Sequence, residues 1–311
     1  MAAHNKQKII FAKKSTSHTV PNVKRGKQNE SAKINVGNLT QIISIDQNEK
    51  TCAVESGITF QDLVTETLPL GLVPYVVPEL TGITVGGAVS GCSIESMSYR
   101  YGGFHDSCLE YEIIDATGKI LTISRENDPE LFEMIHGSYG TLGFLSKIKF
   151  KLYPAKPFVK MTYEKFDNFE NFYRSLTDHC ARADYTFIDA IIHDPKKLVV
   201  CLGEYADTAP YESNYEKEKI FYKSTAELNE DYMRAEQYFF RYDTECHWLS
   251  RAIPILEWKT ARKFLGKFFL GSENMIRWSR RFTDISLPVQ AGKLPPVRAA
   301  EKFYTTKTGR A

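Results

Sequence analysis

Val77-Pro78-Glu79-Leu80-Thr81-Gly82-Ile83-Thr84-Val85-Gly86-Gly87-Ala88-Val89-Ser90-Gly91, continued by Gly102 and Gly103, is the stretch on which the rest of the chain is read. Gly82, Gly86, Gly87, Gly91, Gly102 and Gly103 are six of the chain's 19 glycines, gathered within residues 82–103. Such enrichment asks for a backbone reason. Glycine allows positive φ and lets peptide groups approach a partner without a β-carbon between them. Successive exposed amides form concavities that suit a pyrophosphate. Thr84, Ser90, Ser93, Ser96 and Ser98 add hydroxyls, and Arg100 adds a fixed positive charge. On the glycines alone, a turn cluster packed against a sheet remains an equal alternative. The chain has neither GxxxxGK[ST] nor a GxGxxG between strand and helix, which removes the P-loop and Rossmann readings.

The neighbouring segments are β-rich. Ile42-Ile43-Ser44-Ile45 and Cys52-Ala53-Val54-Glu55 read as strands around a polar turn. Thr59 and Asp62 have capping-box spacing, followed by Phe60, Leu63, Val64 and Leu68 on one helical face. Leu109 to Ile113 and Ile120 to Ile123 form a strand pair around Asp115-Ala116-Thr117-Gly118. Asp128-Pro129 starts a helix. Ile148, Phe150 and Leu152 alternate with Lys147, Lys149 and Lys151, an amphipathic strand. Two prolines at 154 and 157 mark a boundary. Beyond it, helices are expected over 168–180 and 224–241, and strands over 185–192 and 197–204.

Composition narrows the function classes. A chain of 311 residues with 42% apolar content is long enough for two cores. Forty basic residues stand against 38 acidic ones, a net charge of +2 that gives no field for nucleic acid. Six cysteines, without a CxxC pair, read as reduced thiols rather than a disulfide framework or zinc site. Ile9-Ile10-Phe11-Ala12 is too short for a signal-peptide core or a membrane span, so a cytoplasmic chain is expected. Trp258 to Arg281 interleaves basic with aromatic and aliphatic residues, which reads first as a solvated helix face and second as a surface for peripheral contact with an anionic lipid membrane.

The quoted stretch, followed by Ser96, Arg100-Tyr101-Gly102 and His105-Asp106, resembles the FAD-binding domain of the vanillyl-alcohol oxidase/p-cresol methylhydroxylase (PCMH) superfamily. Gly137-Ser138-Tyr139-Gly140-Thr141-Leu142-Gly143-Phe144-Leu145-Ser146 resembles that family's segment before a long strand. Two motifs in this order are more specific than either alone. Gly91 to Ser96, Leu198 to Tyr215, Ile220 to Ser224 and Tyr238 to Trp248 are similar to the Δ24-sterol reductase branch.

The resemblance implies an α+β chain: a PCMH-type FAD-binding domain of two α/β subdomains over 1–155, shortened at its start. A partial α+β substrate or cap domain over 156–286 and a loose tail over 287–311 follow. It implies FAD as cofactor, NADPH as the usual electron donor, and a small apolar, sterol-like substrate whose C=C bond is reduced. An alcohol or sugar-alcohol oxidase and a silent FAD-binding module are the alternatives. By the resemblance, the cofactor contacts are Thr84, Gly86, Gly87, Ala88, Gly91, Ser96, Arg100, Gly102, Gly140 and Gly143, with Ser15, Thr16, Ser17 and His18 filling the first phosphate loop. Arg100 has a second reading as a scaffold partner of Asp106. For the proton donor, Glu95, Glu204, Tyr205 and Tyr242 are candidates without a choice among them. Phe169, Phe172, Tyr173, Tyr232, Tyr238, Phe239 and Trp248 either line an apolar pocket or pack a core.

Overall fold

In the computed structural model, residues 9–12, 32–217, 219–245 and 254–283 are described. β1 (Ile9–Ala12) and β2 (Ala32–Asn35) pair in parallel. β3 (Ile42–Asp46) turns into β4 (Thr51–Glu55) through Asp46, whose carboxylate accepts the Asn48 and Glu49 N–H groups at 2.9 Å each. α1 (Phe60–Thr67) starts where the capping spacing put it. The Thr59 hydroxyl accepts the Asp62 N–H at 3.1 Å and donates to the Asp62 carboxylate at 2.7 Å. Its Phe60, Leu63 and Val64 are fully buried.

β5 (Leu72–Pro74) leads into the glycine-rich segment, which folds as two short helices, α2 (Val85–Ser90) and α3 (Ser98–Tyr101). The hairpin of β6 (Cys108–Ile114) and β7 (Ile120–Ser124) closes on Asp115, which accepts the Thr117 and Lys119 N–H groups. α4 (Pro129–Met134) is capped by Asp128 through the Leu131 N–H at 3.2 Å. β8 (Phe144–Pro154) is the spine of the first sheet. It buries Ile148, Phe150 and Leu152 and leaves Lys147, Lys149 and Lys151 exposed. The sheet order is β3-β4-β8-β6-β7, and β5 pairs with the far end of β8.

Between Pro154 and Phe158 the chain passes to a second sheet. It contains β9 (Phe158–Phe166), then β10 (Phe187–Asp194) after α5 (Phe169–Arg182), and β11 (Lys197–Ala206). α6 (Phe221–Glu227), β12 (Glu230–Arg234) and α7 (Ala235–Phe239) follow, and the antiparallel order is β10-β11-β9-β12. The single helix expected over 224–241 is therefore corrected to helix, strand, helix. Residues 230–234 have a period of two, with Asp231 and Met233 fully buried between exposed Glu230 and Arg234, and pairing with β9 outweighs helical propensity. α8 (Lys259–Leu270), broken at Gly266, and α9 (Ser272–Thr283) complete the described residues. One apolar cluster runs through both sheets, from Phe60, Phe104 and Phe150 to Met161, Phe187, Phe221 and Tyr238. Each such side chain contributes about 1.5–3 kcal/mol by burial, so the two sheets share one core.

Candidate functional site

The two glycine-bearing segments meet through their backbones. The Tyr139 N–H donates to the Ser90 carbonyl at 3.1 Å, and the Gly137 N–H donates to the Val89 carbonyl at 3.3 Å. Gly137 has φ +67°, Tyr139 +50° and Gly140 +78°, with Cys92 at +50° across the contact. Left-handed residues on both sides mark two turns folded against each other. A β-carbon on Gly140 would meet no atom within 4 Å, so its outer face is open. Gly87, Gly91, Gly140 and Thr141 are exposed at this junction, with Ser90 and Ser138 half-buried beside them.

The glycine-rich segment spends most of its amides on the fold itself. Val85 N–H donates to the Ile58 carbonyl at 3.0 Å and Gly86 N–H to the Ser56 carbonyl at 2.8 Å. Gly87 N–H reaches the Thr84 hydroxyl at 3.3 Å, and Gly91 N–H the Gly87 carbonyl at 2.9 Å. A β-carbon on Gly86 would stand 2.8 Å from Ser56 Cβ, so glycine there lets α2 lie against the Ser56 backbone. Ala88 is fully buried, and the Thr84 hydroxyl caps α2. Gly143 (φ +155°) passes a β-carbon's reach from the Ile114 carbonyl, at 3.0 Å. Gly102 (φ +74°) lies against Asp106, whose carboxylate accepts the Gly103 N–H at 2.7 Å. Arg100 is exposed, with its guanidinium 5.4 Å from the Tyr101 ring centre. Asp106 instead lies 3.5 Å from His105 Nε2. Ser15 to His18 lie outside the described residues.

The expected contacts thus sort by position. Gly87, Gly91, Gly140 and Arg100 face outward. Thr84 and Ala88 are buried, and Gly86, Gly102 and Gly143 half-buried. Ser96 is buried elsewhere, its hydroxyl 2.9 Å from that of Tyr238 on α7. The outward surface suits a flavin nucleotide: bare backbone at three glycines for close approach, with serine hydroxyls able to donate to phosphate oxygens.

Ser96 opens onto a feature that the sequence did not announce. Arg241, 2% exposed, places Nη2 2.8 Å from Asp189 on β10, 3.0 Å from Glu95 and 3.9 Å from Glu79. Its guanidinium lies 4.3 Å from the Tyr238 ring centre and 5.0 Å from that of Tyr242. Glu79 and Glu95 both belong to the glycine-rich stretch, on either side of Gly82 to Gly91, and their carboxyls hydrogen-bond to each other. Burial, reinforced by Glu95 and opposed by Arg241, pushes the Glu79 carboxyl up to about 9. Burial works against charge on Glu95 too, but Arg241 and the hydrogen bonds from Glu79 and Ser96 hold it below the usual range. Nearby, Asp243 accepts from the Thr81 N–H at 3.1 Å, the Thr81 hydroxyl at 2.8 Å and the Ser272 hydroxyl at 2.6 Å. These contacts tie the glycine-rich segment to α7, β10 and α9.

Of the proton-donor candidates, Glu95 and Tyr242 enter this cluster. Glu204 is exposed near Lys160, and the buried Tyr205 hydroxyl has no hydrogen-bond partner. Glu79, Asp189 and Arg241 were not singled out as partners from sequence. A carboxylate inside the apolar run Leu72 to Leu80 was the available signal for Glu79. Phe172, Tyr238 and Phe239 are core residues, whereas Phe169 and Tyr173 are exposed. Trp248 lies outside the described residues.

Residues 1–124 match the family model of the FAD binding domain. The chain is 31% identical to the Delta(24)-sterol reductase homolog dhcr-24 of Caenorhabditis elegans over 188 residues, 57% of this chain and 36% of that one. It is 28% identical to the Delta(24)-sterol reductase of Homo sapiens over 240 residues, 74% of this chain and 46% of that one. It is 32% identical to that of Pisum sativum over 176 residues, 53% of this chain and 31% of that one. The matched region spans less than half the length of these relatives. No helix among the described residues is long and apolar enough to cross a membrane. Residues 1–124 thus match an FAD binding domain, and the chain, in which both motifs join in one α+β fold, is similar to the Δ24-sterol reductases.

Proposed function

We propose that the chain is an FAD-dependent oxidoreductase that reduces a C=C bond of a sterol-like, apolar substrate, with NADPH as electron donor. The observation that carries the cofactor site is the backbone junction of Ser90 with Tyr139 and of Val89 with Gly137. Gly87, Gly91 and Gly140 would receive the cofactor against bare backbone. Ser90 and Ser138 would donate to its phosphates, and Arg100 would supply positive charge. Thr84, Gly86, Ala88, Gly102 and Gly143 would hold that surface in shape, and Ser15 to His18 would close it from the first loop. Bound FAD supplies hydride chemistry, while the protein binds, orients and controls protons. The likeness to Δ24-sterol reductases supports the substrate class.

α8 supports a membrane-facing side for this activity. Phe264 is 88% exposed and Phe268 75%, flanked by exposed Lys259, Lys263 and Lys267. Exposed aromatics between lysines suit an anionic lipid surface. Co-sedimentation with phosphatidylserine vesicles, lost in a Phe264→Ser/Phe268→Ser double variant, is the expected result. Equal sedimentation of both proteins would remove this surface from the proposal.

The activity is tested anaerobically on FAD-loaded protein. NADPH should bleach the flavin, and a sterol with a side-chain double bond should restore its colour. Peroxide production with a polyol would favour the oxidase instead. Bound FAD that responds to neither would identify a silent module.

A further inference from the structure

The loop that carries the second glycine motif holds a closed turn with an aromatic residue at its tip. The Thr141 N–H donates to the Ser138 carbonyl at 3.0 Å and closes these four residues into one turn. Both central residues, Tyr139 (φ +50°) and Gly140 (φ +78°), are left-handed, the pattern of a type I′ turn. Glycine, asparagine and aspartate are the residues that such a turn favours at its first central position. A tyrosine carries a steric cost there, because its β-carbon crowds the carbonyl that follows. Packing does not offset that cost. Tyr139 is 63% exposed, and among the described residues its ring meets no other ring and its hydroxyl has no hydrogen-bond partner. The residue is strained at its backbone and left in water at its ring. An outlier of this kind points to a ligand contact rather than to packing.

Its neighbours indicate which ligand. The Tyr139 N–H donates to the Ser90 carbonyl at 3.1 Å, so the turn is fixed by its tip to the glycine-rich segment. Gly140, beside Tyr139, has an open face where a β-carbon would meet no atom within 4 Å. Gly87 and Gly91, on the segment to which Ser90 belongs, are also exposed. An aromatic ring next to bare backbone suits a flat ring system, since glycine permits close approach and the tyrosine can cover one face.

We propose that Tyr139 is a cofactor-binding residue whose ring stacks on a ring of bound FAD, either the isoalloxazine or the adenine. The inference rests on the oxidoreductase reading above and adds a side chain to its flavin site. Stacking accepts either end of the cofactor, because each presents a π face.

The experiment titrates the full wild-type chain, Tyr139→Asn and Tyr139→Phe with FAD and with FMN. Asparagine suits the first central position of a type I′ turn, so it removes the ring and relieves the strain together. Tyr139→Asn should weaken FAD binding about tenfold while raising the urea midpoint of the flavin-free chain. A structural role for the tyrosine would lower that midpoint instead. Tyr139→Phe should bind FAD as the wild type does, because the stacking face is kept. A parallel loss of FMN affinity in Tyr139→Asn assigns the contact to the isoalloxazine, and an FMN affinity equal to that of the wild type assigns it to the adenine. Unchanged FAD affinity in Tyr139→Asn overturns the inference and leaves the flavin site standing. Lost affinity with a lowered midpoint, or an equal loss in Tyr139→Phe, also overturns it, since the turn or the hydroxyl then carries the effect. A wild-type chain that binds no FAD removes the flavin site and this inference together.

Discussion

Gly86 and Glu79 show how single residues carry different burdens in one segment. Gly86 is glycine because α2 must lie against Ser56, where a β-carbon would stand 2.8 Å from another. Glu79 is acidic in an apolar run, and burial raises its carboxyl from an ordinary 4.5 to about 9. The second fact makes stability depend on pH. The folded chain holds the Glu79 proton up to about pH 9, whereas the unfolded chain releases it near the ordinary value. Glu79 thus favours the fold fully below about pH 4.5, and that contribution is lost as pH rises towards 9. The slope is at most about 1.4 kcal/mol per pH unit for one proton. Urea unfolding at pH 6, 7 and 8 should show falling stability from this group, and Glu79→Gln should flatten the fall. An unchanged slope in the variant would place the proton on another group.

At the scale of elements, the proposed flavin site is a contact between two turns rather than one phosphate-binding loop. The loop after α4 reaches α2 through Gly137 and Tyr139, and Gly140 leaves an open face there. Asparagine tolerates positive φ better than most residues, so Gly140→Asn should keep the turn while placing a side chain on that face. FAD affinity should weaken about tenfold or more, equivalent to roughly 1.4 kcal/mol, with the urea midpoint little changed. Equal affinity, by fluorescence titration, would put the flavin elsewhere. Much of this scale was legible in the sequence. Thr59, Asp128 and the lysine alternation of β8 are local signals, and each marks an element that formed as read. The junction was legible only as two motifs in order, because hydrogen bonds such as that from Tyr139 to Ser90 depend on the folded sheet. β12 was misread because its alternation spans five residues, too short to overrule a helical context.

At the scale of the whole molecule, Arg241 is the tie. It joins Glu79 and Glu95 of the glycine-rich stretch to Asp189 on the second sheet. No periodicity predicts this, since the partners come from segments far apart in sequence with unremarkable local patterns. Removing the cation leaves buried carboxylates uncompensated, so Arg241→Ala should cost about 3–5 kcal/mol, measured by urea denaturation. A loss within 0.5 kcal/mol would show that the seam is held by apolar packing alone. The whole account depends on a flavin bound at the junction of the two glycine-bearing segments. The direct measurement is gel filtration of the purified full chain after incubation with FAD, followed by visible absorption of the protein peak. The account predicts one FAD per chain co-eluting with a shifted flavin spectrum, and a colourless protein peak with all FAD in the small-molecule fraction would contradict it.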